Sequence, residues 1–425
     1  MSVRFLIFTV ILLSIDFYVF RAVRTHTANL DNWLKYSAYA AYWSLPVIFF
    51  AAIFYYVNFA RETDFRSSKL FLFLGAFFVV FTLPKLIILL SQFIDDMSKI
   101  LAFLFKKFAN PDGLMYENAD KISRSEFITR LGLIISVIPF FASLYGILIG
   151  RFNFSITKKT LVFNHLPESF AGFRIVQFSD LHIGSLRGYE DKLRQAVELI
   201  NAQKPDVIFF TGDMVNNVAS ELDGWEDILS ELKAKYGVFS ILGNHDYGLY
   251  FPWKNEEEQK ANLNDLIMRQ NKMGFKLLLN DAAIIEHNGE KIAILGVENW
   301  GKRPFPQYGK LDKALEKVQD IDFKLLLSHD PTHFDEQVAG KTDIALTFSG
   351  HTHGMQFALN FGGIKWSPVS WKYPKWSGLY KSETAKAGNV QYLYVNIGLG
   401  YIGFPGRVGT NPEITVFELS KRLSI

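Results

Sequence analysis

Two histidines lie between glycines in one short stretch of the chain, Ser349-Gly350-His351-Thr352-His353-Gly354. Two imidazoles one residue apart and flanked by glycines suit a tight turn at a strand end, where both rings converge on metal. The same spacing also places two histidines on one face of an ordinary strand that binds no metal. The residues at the ends of the other predicted strands separate these two alternatives.

The chain from Phe152 onward alternates short apolar runs with helical patterns. Six runs predict buried strands, at Arg174–Ser179, Val207–Thr211, Val238–Leu242, Ile292–Val297, Lys324–Ser328 and Ile344–Phe348. Helical patterns lie between several of them, at Glu190–Asn201, Leu222–Ala234, Asn262–Lys272 and Asp312–Val318. This alternation predicts a layered α/β domain.

Polar residues follow five of the six predicted strands. They are Asp180-Leu181-His182, Gly212-Asp213, Gly243-Asn244-His245-Asp246, His329-Asp330 and the Gly350-His351-Thr352-His353 turn. Ligands of open α/β sheets collect at the carboxyl ends of strands. Most of the nine histidines of the chain lie in these turns, whereas His26, His165, His287 and His333 lack such a context. We therefore expect one shared site at a sheet edge.

From about Arg174 to Leu419, the chain resembles the calcineurin-like metallophosphoesterases. The resemblance lies in the order of five motifs along the chain: D-x-H, G-D, G-N-H-[DE], H and G-H-x-H. The resemblance implies a four-layer α/β fold, in which helices flank two mixed β-sheets. It also implies two divalent metal ions (Mn, Fe, Zn, Ni or Co), and the absence of cysteine excludes thiolate ligands. By resemblance, Asp213 bridges the metals, Asp180, His182 and His353 complete one site, and Asn244, His329 and His351 complete the other.

The resemblance further implies a hydrolytic mechanism. Metal-bound hydroxide would attack a phosphomonoester, phosphodiester or pyrophosphate in line, without a covalent intermediate. His245 matches the position of a general acid rather than a metal ligand. Asp246 is expected to orient His245 by accepting a hydrogen bond from its other ring nitrogen.

The first 150 residues predict a membrane domain. The chain has 425 residues, of which 49% are apolar and 40 are Phe, and four long apolar runs lie at Phe5–Phe20, Tyr36–Ala60, Leu70–Ile94 and Ile128–Ile149. We expect about four transmembrane helices in residues 1–150 and the phosphoesterase domain in residues 151–425. Met97 to Phe108 favours an amphipathic helix in the interface. Asp16 and Lys85, inside apolar surroundings, indicate either a pathway or an internal ion pair.

Orientation is argued from Lys and Arg near the helix ends. The side that holds Arg21, Arg24 and Lys35 carries slightly more of them than the side that holds Arg61 and Arg66, which favours an extracytoplasmic catalytic domain. In addition, residues 123–128 resemble a twin-arginine export signal whose second arginine is replaced by serine. The arrangement resembles the bacterial and animal transmembrane proteins with a metallophosphoesterase domain, and we expect a bacterial inner membrane.

Substrate preference is argued from the segment Gly363 to Lys381, which mixes tryptophan, tyrosine and lysine directly after the H-x-H turn. Such a mixture suits a lipid interface or an acyl chain with its headgroup, or an ordinary loop packed on the sheet. Trp371 and Trp376 are therefore candidate substrate contacts. Arg407 would pair with a substrate phosphate or with Glu413. The expected partners are membrane lipids and a phosphorylated lipid or small molecule, while a net charge of +3 does not indicate nucleic acid.

Three functional classes remain open. The favoured one is a membrane-anchored hydrolase of a lipid-linked phosphate. A more specific form resembles the UDP-2,3-diacylglucosamine pyrophosphatases of lipid A assembly, but that substrate is cytoplasmic and the expected orientation opposes it. The second class is a phosphatase or phosphodiesterase of soluble substrates, and the third is a non-enzymatic scaffold, which the complete ligand set disfavours.

Overall fold

The computed structural model describes residues 3–60, 69–109, 124–362, 364–382 and 390–421. The chain divides into two compact units. One comprises Met1–Glu62 and Phe73–Tyr145, and the other comprises Thr63–Leu72 and Gly146–Ile425.

Four long helices form the part of the first unit that the structure describes: α1 (Val3–His26), α2 (Asn32–Tyr55), α3 (Lys69–Ala109) and α4 (Arg124–Leu148). Among the described residues, four stretches are long and apolar enough to cross a membrane: Leu6–His26, Asn32–Asn58, Lys69–Phe105 and Glu126–Phe152. They confirm the four transmembrane helices predicted from the apolar runs. Pro46, Pro84 and Pro139 each lie inside one of these helices, and proline is tolerated there because neighbouring helices satisfy the freed backbone groups.

The predicted amphipathic helix from Met97 to Phe108 is helical, but it is not a separate element. It is the last part of α3, which continues without interruption from Lys69 to Ala109. Its location in the membrane interface stays a prediction. Some residues on which the predicted orientation depends lie outside the described residues. They are Arg61, Arg66 and residues 121–123.

Asp16 of α1 and Lys85 of α3 form an ion pair inside the membrane unit. The Lys85 Nζ lies 2.5 Å from the Asp16 Oδ1, and the two side chains are 14% and 7% exposed. Tyr42 of α2 donates a hydrogen bond to the Asp16 carbonyl oxygen at 2.8 Å. Three helices therefore meet at one polar cluster, and of the two interpretations of these charges the structure shows the internal ion pair.

Replacing Lys85 by Met should destabilise the membrane unit by about 3–5 kcal/mol, because the Asp16 carboxylate would stay buried without its cation. The double variant with Asp16→Asn and Lys85→Met should recover most of that loss. Thermal unfolding of the full chain in detergent measures both effects, and Arg24→Met, which removes an exposed cation in the last turn of α1, serves as the control. Equal stability of the single and double variants would contradict the pairing role.

In its described residues, the second unit contains fourteen strands and four further α-helices. The strands are β1 (Ser155–Phe163), β2 (Arg174–Phe178), β3 (Val207–Phe210), β4 (Val238–Ser240), β5 (Phe275–Leu277), β6 (Asp281–His287), β7 (Glu290–Gly296), β8 (Lys324–Leu327), β9 (Leu346–Ser349), β10 (Leu359–Phe361), β11 (Ile364–Trp366), β12 (Gly378–Lys381), β13 (Tyr392–Val395) and β14 (Glu413–Lys421). The helices are α5 (Glu190–Ala202), α6 (Glu226–Leu229), α7 (Glu256–Lys272) and α8 (Leu311–Leu315).

Twelve of the strands form two mixed sheets of six. The first has the order β1-β14-β2-β3-β4-β5 and the second β12-β13-β9-β8-β7-β6, while β10 and β11 form a separate hairpin. Strands β2 to β5 are parallel, and so are β13, β9, β8 and β7. Parallel strands share an edge at their carboxyl ends, so each sheet presents a row of strand ends to one site.

The two sheets pack face to face through aromatic side chains. The ring of Phe209 on β3 lies 4.9 Å from that of Phe348 on β9, which in turn lies 5.1 Å from Phe417 on β14. The outer face of the first sheet packs against α5 through residues such as Leu193. The outer face of the second packs against α8 through Leu311. These four layers confirm the predicted fold class.

All six predicted strands form, as β2, β3, β4, β7, β8 and β9. The predicted helix at Leu222–Ala234 is wrong, since only Glu226–Leu229 is α-helical. Gly224 has a φ of 84°, a left-handed conformation that ends the preceding turn and prevents a continuous helix. The predicted helix at Asn262–Lys272 begins earlier, at Glu256, because the side chain of Asn255 caps it by accepting a hydrogen bond from the Glu258 amide.

Candidate metal centre

The strand ends of both sheets bring the predicted ligands together. The contributing turns follow β2 (Asp180 and His182), β3 (Asp213), β4 (Asn244), β8 (His329) and β9 (His351 and His353). All seven side chains are at least nine-tenths buried. Carboxylates and imidazoles are seldom buried to this degree unless they are paired or bind metal.

Glycines allow the strand ends to approach one another this closely. A Cβ atom on Gly350 would lie 2.3 Å from the Asp180 Oδ2, and one on Gly243 would lie 2.2 Å from the Asp213 Oδ1. Any other residue at either position would displace a carboxylate of the centre. This explains why glycine precedes the histidine in the G-H-x-H turn and the asparagine in the G-N-H turn.

The backbone is left-handed at five of the predicted ligands. Positive φ angles occur at Asp180 (52°), His182 (46°), Asp213 (58°), His351 (74°) and His353 (51°). Non-glycine residues rarely adopt this conformation, and such strain clusters at functional sites, where the surrounding structure maintains it.

The first group of ligand atoms consists of Asp180, His182 and His353, whose atoms all lie within 4.8 Å of one another. The Nε2 atoms of His182 and His353 are 3.0 Å apart. The His353 Nε2 lies 3.2 Å from the Asp180 Oδ1. Two imidazole nitrogens facing each other beside a carboxylate are suited to holding one cation.

The second group consists of Asp213, His329 and His351. The Asp213 Oδ2 lies 3.2 Å from the His329 Nε2 and 3.6 Å from the His182 Nε2, which belongs to the first group. The Asp213 carboxylate therefore lies between the two groups, where the resemblance places the bridging ligand. The Oδ1 of Asn244 is buried without a hydrogen-bond partner among the described residues, as an atom reserved for a metal would be.

The donor set fits divalent metal ions. Besides the Asn244 Oδ1, buried nitrogens of His182, His329 and His351 have no hydrogen-bond partner in the described part of the chain. The Nδ1 of His329 lies 2.7 Å from the Thr211 carbonyl oxygen. That contact places a ring proton on Nδ1 and leaves Nε2 as the nitrogen directed towards Asp213 and available to a metal, the usual arrangement of a metal-binding histidine.

Electrostatics also favours cations at this position. Burial alone would raise the pKa of Asp213, but the neighbouring His329 and His245 imidazoles hold it well below its usual range. Burial opposes protonation of His329, yet the Asp213 and Asp180 charges raise its pKa. The buried Asp213 carboxylate therefore stays ionised and attracts positive charge, which a divalent cation would supply.

His245 lies beside both groups. Its ring forms a third close cluster with His182 and Asp213, and its Nδ1 is 2.8 Å from the Asn216 carbonyl oxygen. Its backbone amide donates to the Asp213 Oδ1 at 2.8 Å. Asn216 thus fixes the ring orientation of His245, a role that sequence reasoning assigned to another residue.

The predicted orientation of His245 by Asp246 is wrong. The Asp246 carboxylate is fully buried and accepts hydrogen bonds from the backbone amides of Gly243, Asp213 and Met214 at 2.8–2.9 Å. It accepts a fourth at 3.2 Å from the next amide, that of Val215. Burial and the nearby Asp213 charge raise the pKa of Asp246 to about 7. Asp246 holds the turns after β3 and β4 together and does not contact the reacting groups.

Of the three predicted substrate contacts, only Trp371 is exposed, at 82%. Arg407 is 1% exposed, and its Nη2 donates to the Ile397, Gly398 and Gly400 carbonyl oxygens. Burial lowers the pKa of Arg407 to about 10. Trp376 is 5% exposed. The expectation of substrate contact is therefore corrected for Arg407 and Trp376, because neither side chain is accessible.

The pairing of Arg407 with Glu413 is not formed either. Glu413 accepts hydrogen bonds from the Tyr394 hydroxyl at 2.5 Å and the Ile397 amide at 3.2 Å. Two further residues at the centre had no predicted role: Tyr373, whose hydroxyl contacts His351, and Asp330. Asp330 directly follows His329 in its turn and Tyr373 lies in the aromatic segment Gly363 to Lys381, but neither pattern indicates a contact with His351.

The fold and the site define a metal-dependent hydrolase domain joined to a membrane domain. The chain belongs to the calcineurin-like metallophosphoesterase family, whose members hydrolyse phosphoesters with divalent metals. Residues 173–355 match the model of the family "Calcineurin-like phosphoesterase". Residues 3–151 match the family "Probable Calcineurin-like phosphoesterase, transmembrane domain". The protein is therefore a membrane protein and an enzyme of this family.

Relatives cover both domains. The chain is 32% identical over 268 residues to YkuE of Bacillus subtilis (strain 168), an uncharacterized metallophosphoesterase. That alignment covers 62% of this chain and 84% of YkuE. It is 28% identical over 367 residues to a transmembrane protein with metallophosphoesterase domain of Danio rerio, with 82% of this chain and 77% of that protein covered. The solved NAD nucleotidase of Haemophilus influenzae aligns with a TM-score of 0.36 and 15% identity, covering 53% and 45% of the two chains.

Proposed function

We propose that this protein is a membrane-anchored phosphoesterase with two divalent metal ions, and that it hydrolyses a phosphoester or pyrophosphate bond of a lipid-linked or membrane-associated substrate. The observation that carries the proposal is the position of the Asp213 carboxylate, between two groups of buried nitrogen and oxygen atoms from five strand ends. The metals are of the kind that such ligands accept: Mn, Fe, Zn, Ni or Co.

Two bound metals would supply Lewis-acid stabilisation of phosphoryl oxygens and a lowered pKa of water. Asp213 would hold both, with Asp180, His182 and His353 on one side and Asn244, His329 and His351 on the other. His245 would donate a proton to the leaving oxygen, because its Nδ1 is engaged by Asn216 while its ring borders the ligands. Asp246 keeps the turns in place without taking part in proton transfer.

An exposed apolar surface beside the centre supports a lipid substrate. Leu359 is 63% exposed and lies directly opposite Trp366 in the β10–β11 hairpin. The ring of Trp366 lies 5.7 Å from that of Trp371. These three side chains form what we call the Trp371 surface. Lys365 and Lys372, both exposed, flank it, and tryptophan with lysine is the composition of protein surfaces at a membrane interface.

The Trp371 surface is close in sequence to a residue that contacts a predicted metal ligand. Tyr373, two residues after Trp371, has its hydroxyl 2.8 Å from the Nε2 of the ligand His351. A lipid whose acyl chain or glycerol backbone contacts this surface would therefore have its phosphate within reach of the metals. The finer localisation, a bacterial inner membrane with the catalytic domain outside the cytoplasm, is part of the same proposal.

The test compares a diacylglycerol phosphate and a lipid pyrophosphate in vesicles with soluble p-nitrophenyl phosphate and its diester, using the purified full chain with Mn²⁺. Trp371→Ala should lower kcat/KM about tenfold on the vesicle substrates, since it removes the burial of one large side chain, and should leave the soluble substrates unchanged. Met268→Ala, which removes another exposed apolar side chain on α7, is the control. Turnover of the soluble substrates alone would favour the soluble-substrate class instead.

A further inference from the structure

His351, the first histidine of the G-H-x-H turn, contacts two residues that are not predicted metal ligands. The hydroxyl oxygen of Tyr373 lies 2.8 Å from the His351 Nε2. The Asp330 Oδ2 lies 3.6 Å from the same nitrogen. On the other side of the ring, the Nδ1 is buried and has no hydrogen-bond partner among the described residues. The two nitrogens of this ring therefore have different environments.

We propose that Tyr373 and Asp330 are positioning residues that select the ring orientation and tautomer of His351, so that its Nδ1 faces the second metal. A histidine that binds metal through one nitrogen carries its proton on the other, and the partner of that proton fixes the ring. Here the proton lies on Nε2, the Tyr373 oxygen accepts it, and the Asp330 carboxylate provides a negative charge nearby.

The carboxylate of Asp330 is itself firmly placed. Its Oδ1 accepts hydrogen bonds from the backbone amide and the hydroxyl of Thr332, at 2.8 and 2.7 Å. Its Oδ2 is buried without a hydrogen-bond partner among the described residues. A Cβ atom on Gly301 would lie 2.4 Å from this oxygen, so the space around it is closed. With Oδ1 occupied and Gly301 against Oδ2, the carboxylate is held towards His351.

The ring of His351 also has little freedom to turn. Phe305 packs edge-on against it with ring centroids 4.7 Å apart, and Tyr373 packs at 5.2 Å. These contacts restrict the ring but do not distinguish its two nitrogens, which occupy nearly the same volume. The hydrogen bond to Tyr373 makes that distinction. Removing the hydroxyl while keeping the ring should therefore change metal binding more than packing.

The same contact links the Trp371 surface to the metal centre. Tyr373 is 6% exposed and Trp371 is 82% exposed, although only one residue separates them. One short segment thus presents an apolar side chain to the surroundings and a hydroxyl to a metal ligand. Any contact that fixes this segment also fixes the orientation of His351.

The test titrates the full chain, freed of metal by a chelator and held in detergent, with Co²⁺ followed by visible absorption. The parent protein should bind two Co²⁺ ions. Tyr373→Phe should weaken one of the two binding steps by about 10–100-fold and alter the absorption of the ion bound in that step. Asp330→Asn should affect the same step, and the other step should be unchanged.

Tyr380→Phe is the matched control, because its hydroxyl lies in the same segment and, among the residues that the structure describes, accepts hydrogen bonds only from the Trp376 and Ser377 amides. Both binding steps should be those of the parent. If Tyr373→Phe binds Co²⁺ like the parent, or weakens both steps equally with a lowered Tm, the positioning role is overturned and Tyr373 only packs the segment. The inference rests on the proposed metal centre, and a parent protein that binds no Co²⁺ would instead contradict that centre.

Discussion

Replacing Asp213 by Asn is expected to reduce phosphoester hydrolysis at least about a thousandfold, which corresponds to the loss of several kcal/mol of transition-state stabilisation by metal. The Asp213 Oδ2 lies 3.2 Å from the His329 Nε2 and 3.6 Å from the His182 Nε2, so one carboxylate serves both groups of ligands. An amide presents one oxygen and no charge, and it cannot bridge two cations. Metal content measured by mass spectrometry should fall below two ions per chain, in parallel with turnover.

A matched control separates this effect from loss of a buried or surface carboxylate in general. Asp265→Asn removes a charge that pairs with Arg269 on α7, away from the strand ends, and should keep both metal content and turnover. A second comparison uses thermal unfolding of metal-free protein. Without metal, the Tm of Asp213→Asn should lie within a few degrees of that of the parent, or above it. Full turnover with two bound metals in Asp213→Asn would refute the bridging role and the proposed centre with it.

The convergence of the candidate ligands could be predicted from the sequence because it depends on one repeated physical rule. Each predicted strand was recognisable as a short apolar run, and all but one of these runs were followed directly by residues of the types that can bind metal. Parallel strands bring such turns to one edge, whatever the details of the turns. The structure places Asp213, His329 and His351 together for this reason, although Asp213 lies far from the two histidines in the sequence.

The partners of these ligands could not be predicted, because they depend on backbone conformations that have no composition signal. Left-handed backbone is expected at glycine, yet His182 and Asp213 adopt it here. The turn around Asp213 directs its backbone amides at Asp246, which is why that carboxylate is occupied and cannot orient His245. Proximity in the G-N-H-D motif suggested the opposite, since neighbours in sequence need not face each other after a sharp turn.

Accessibility was equally hidden from sequence reasoning. Arg407 and Trp376 have the side chains of substrate contacts, but long-range packing decides whether a side chain reaches solvent. The loop carbonyl oxygens of Gly398 and Gly400 surround the guanidinium of Arg407, and no local pattern around residue 407 indicates this. The membrane helices were easier to predict from the sequence, because a long apolar run specifies both its own secondary structure and its environment.

Replacing His245 by Ala is expected to lower kcat about 10²–10⁴-fold for substrates with alkoxide leaving groups, the range of a lost general acid. The loss should be much smaller for p-nitrophenyl phosphate, whose leaving group departs without protonation. The ring of His245 is oriented by its Nδ1 contact to the Asn216 carbonyl, 2.8 Å away, and it borders His182 and Asp213. Steady-state kinetics over a series of leaving groups measures the difference.

Two further results decide between an acid and a ligand at this position, since the geometry brings His245 into a cluster with His182 and Asp213. An acid predicts that His245→Ala keeps two metals per chain, whereas a ligand predicts that metal is lost and that all substrates suffer equally. His287→Ala is the control, because its Nδ1 also has a hydrogen-bond partner, the Tyr236 hydroxyl at 2.8 Å, but it lies away from the ligands. If kcat falls equally for all leaving groups and metal is lost as well, His245 is a metal ligand and not the proton donor.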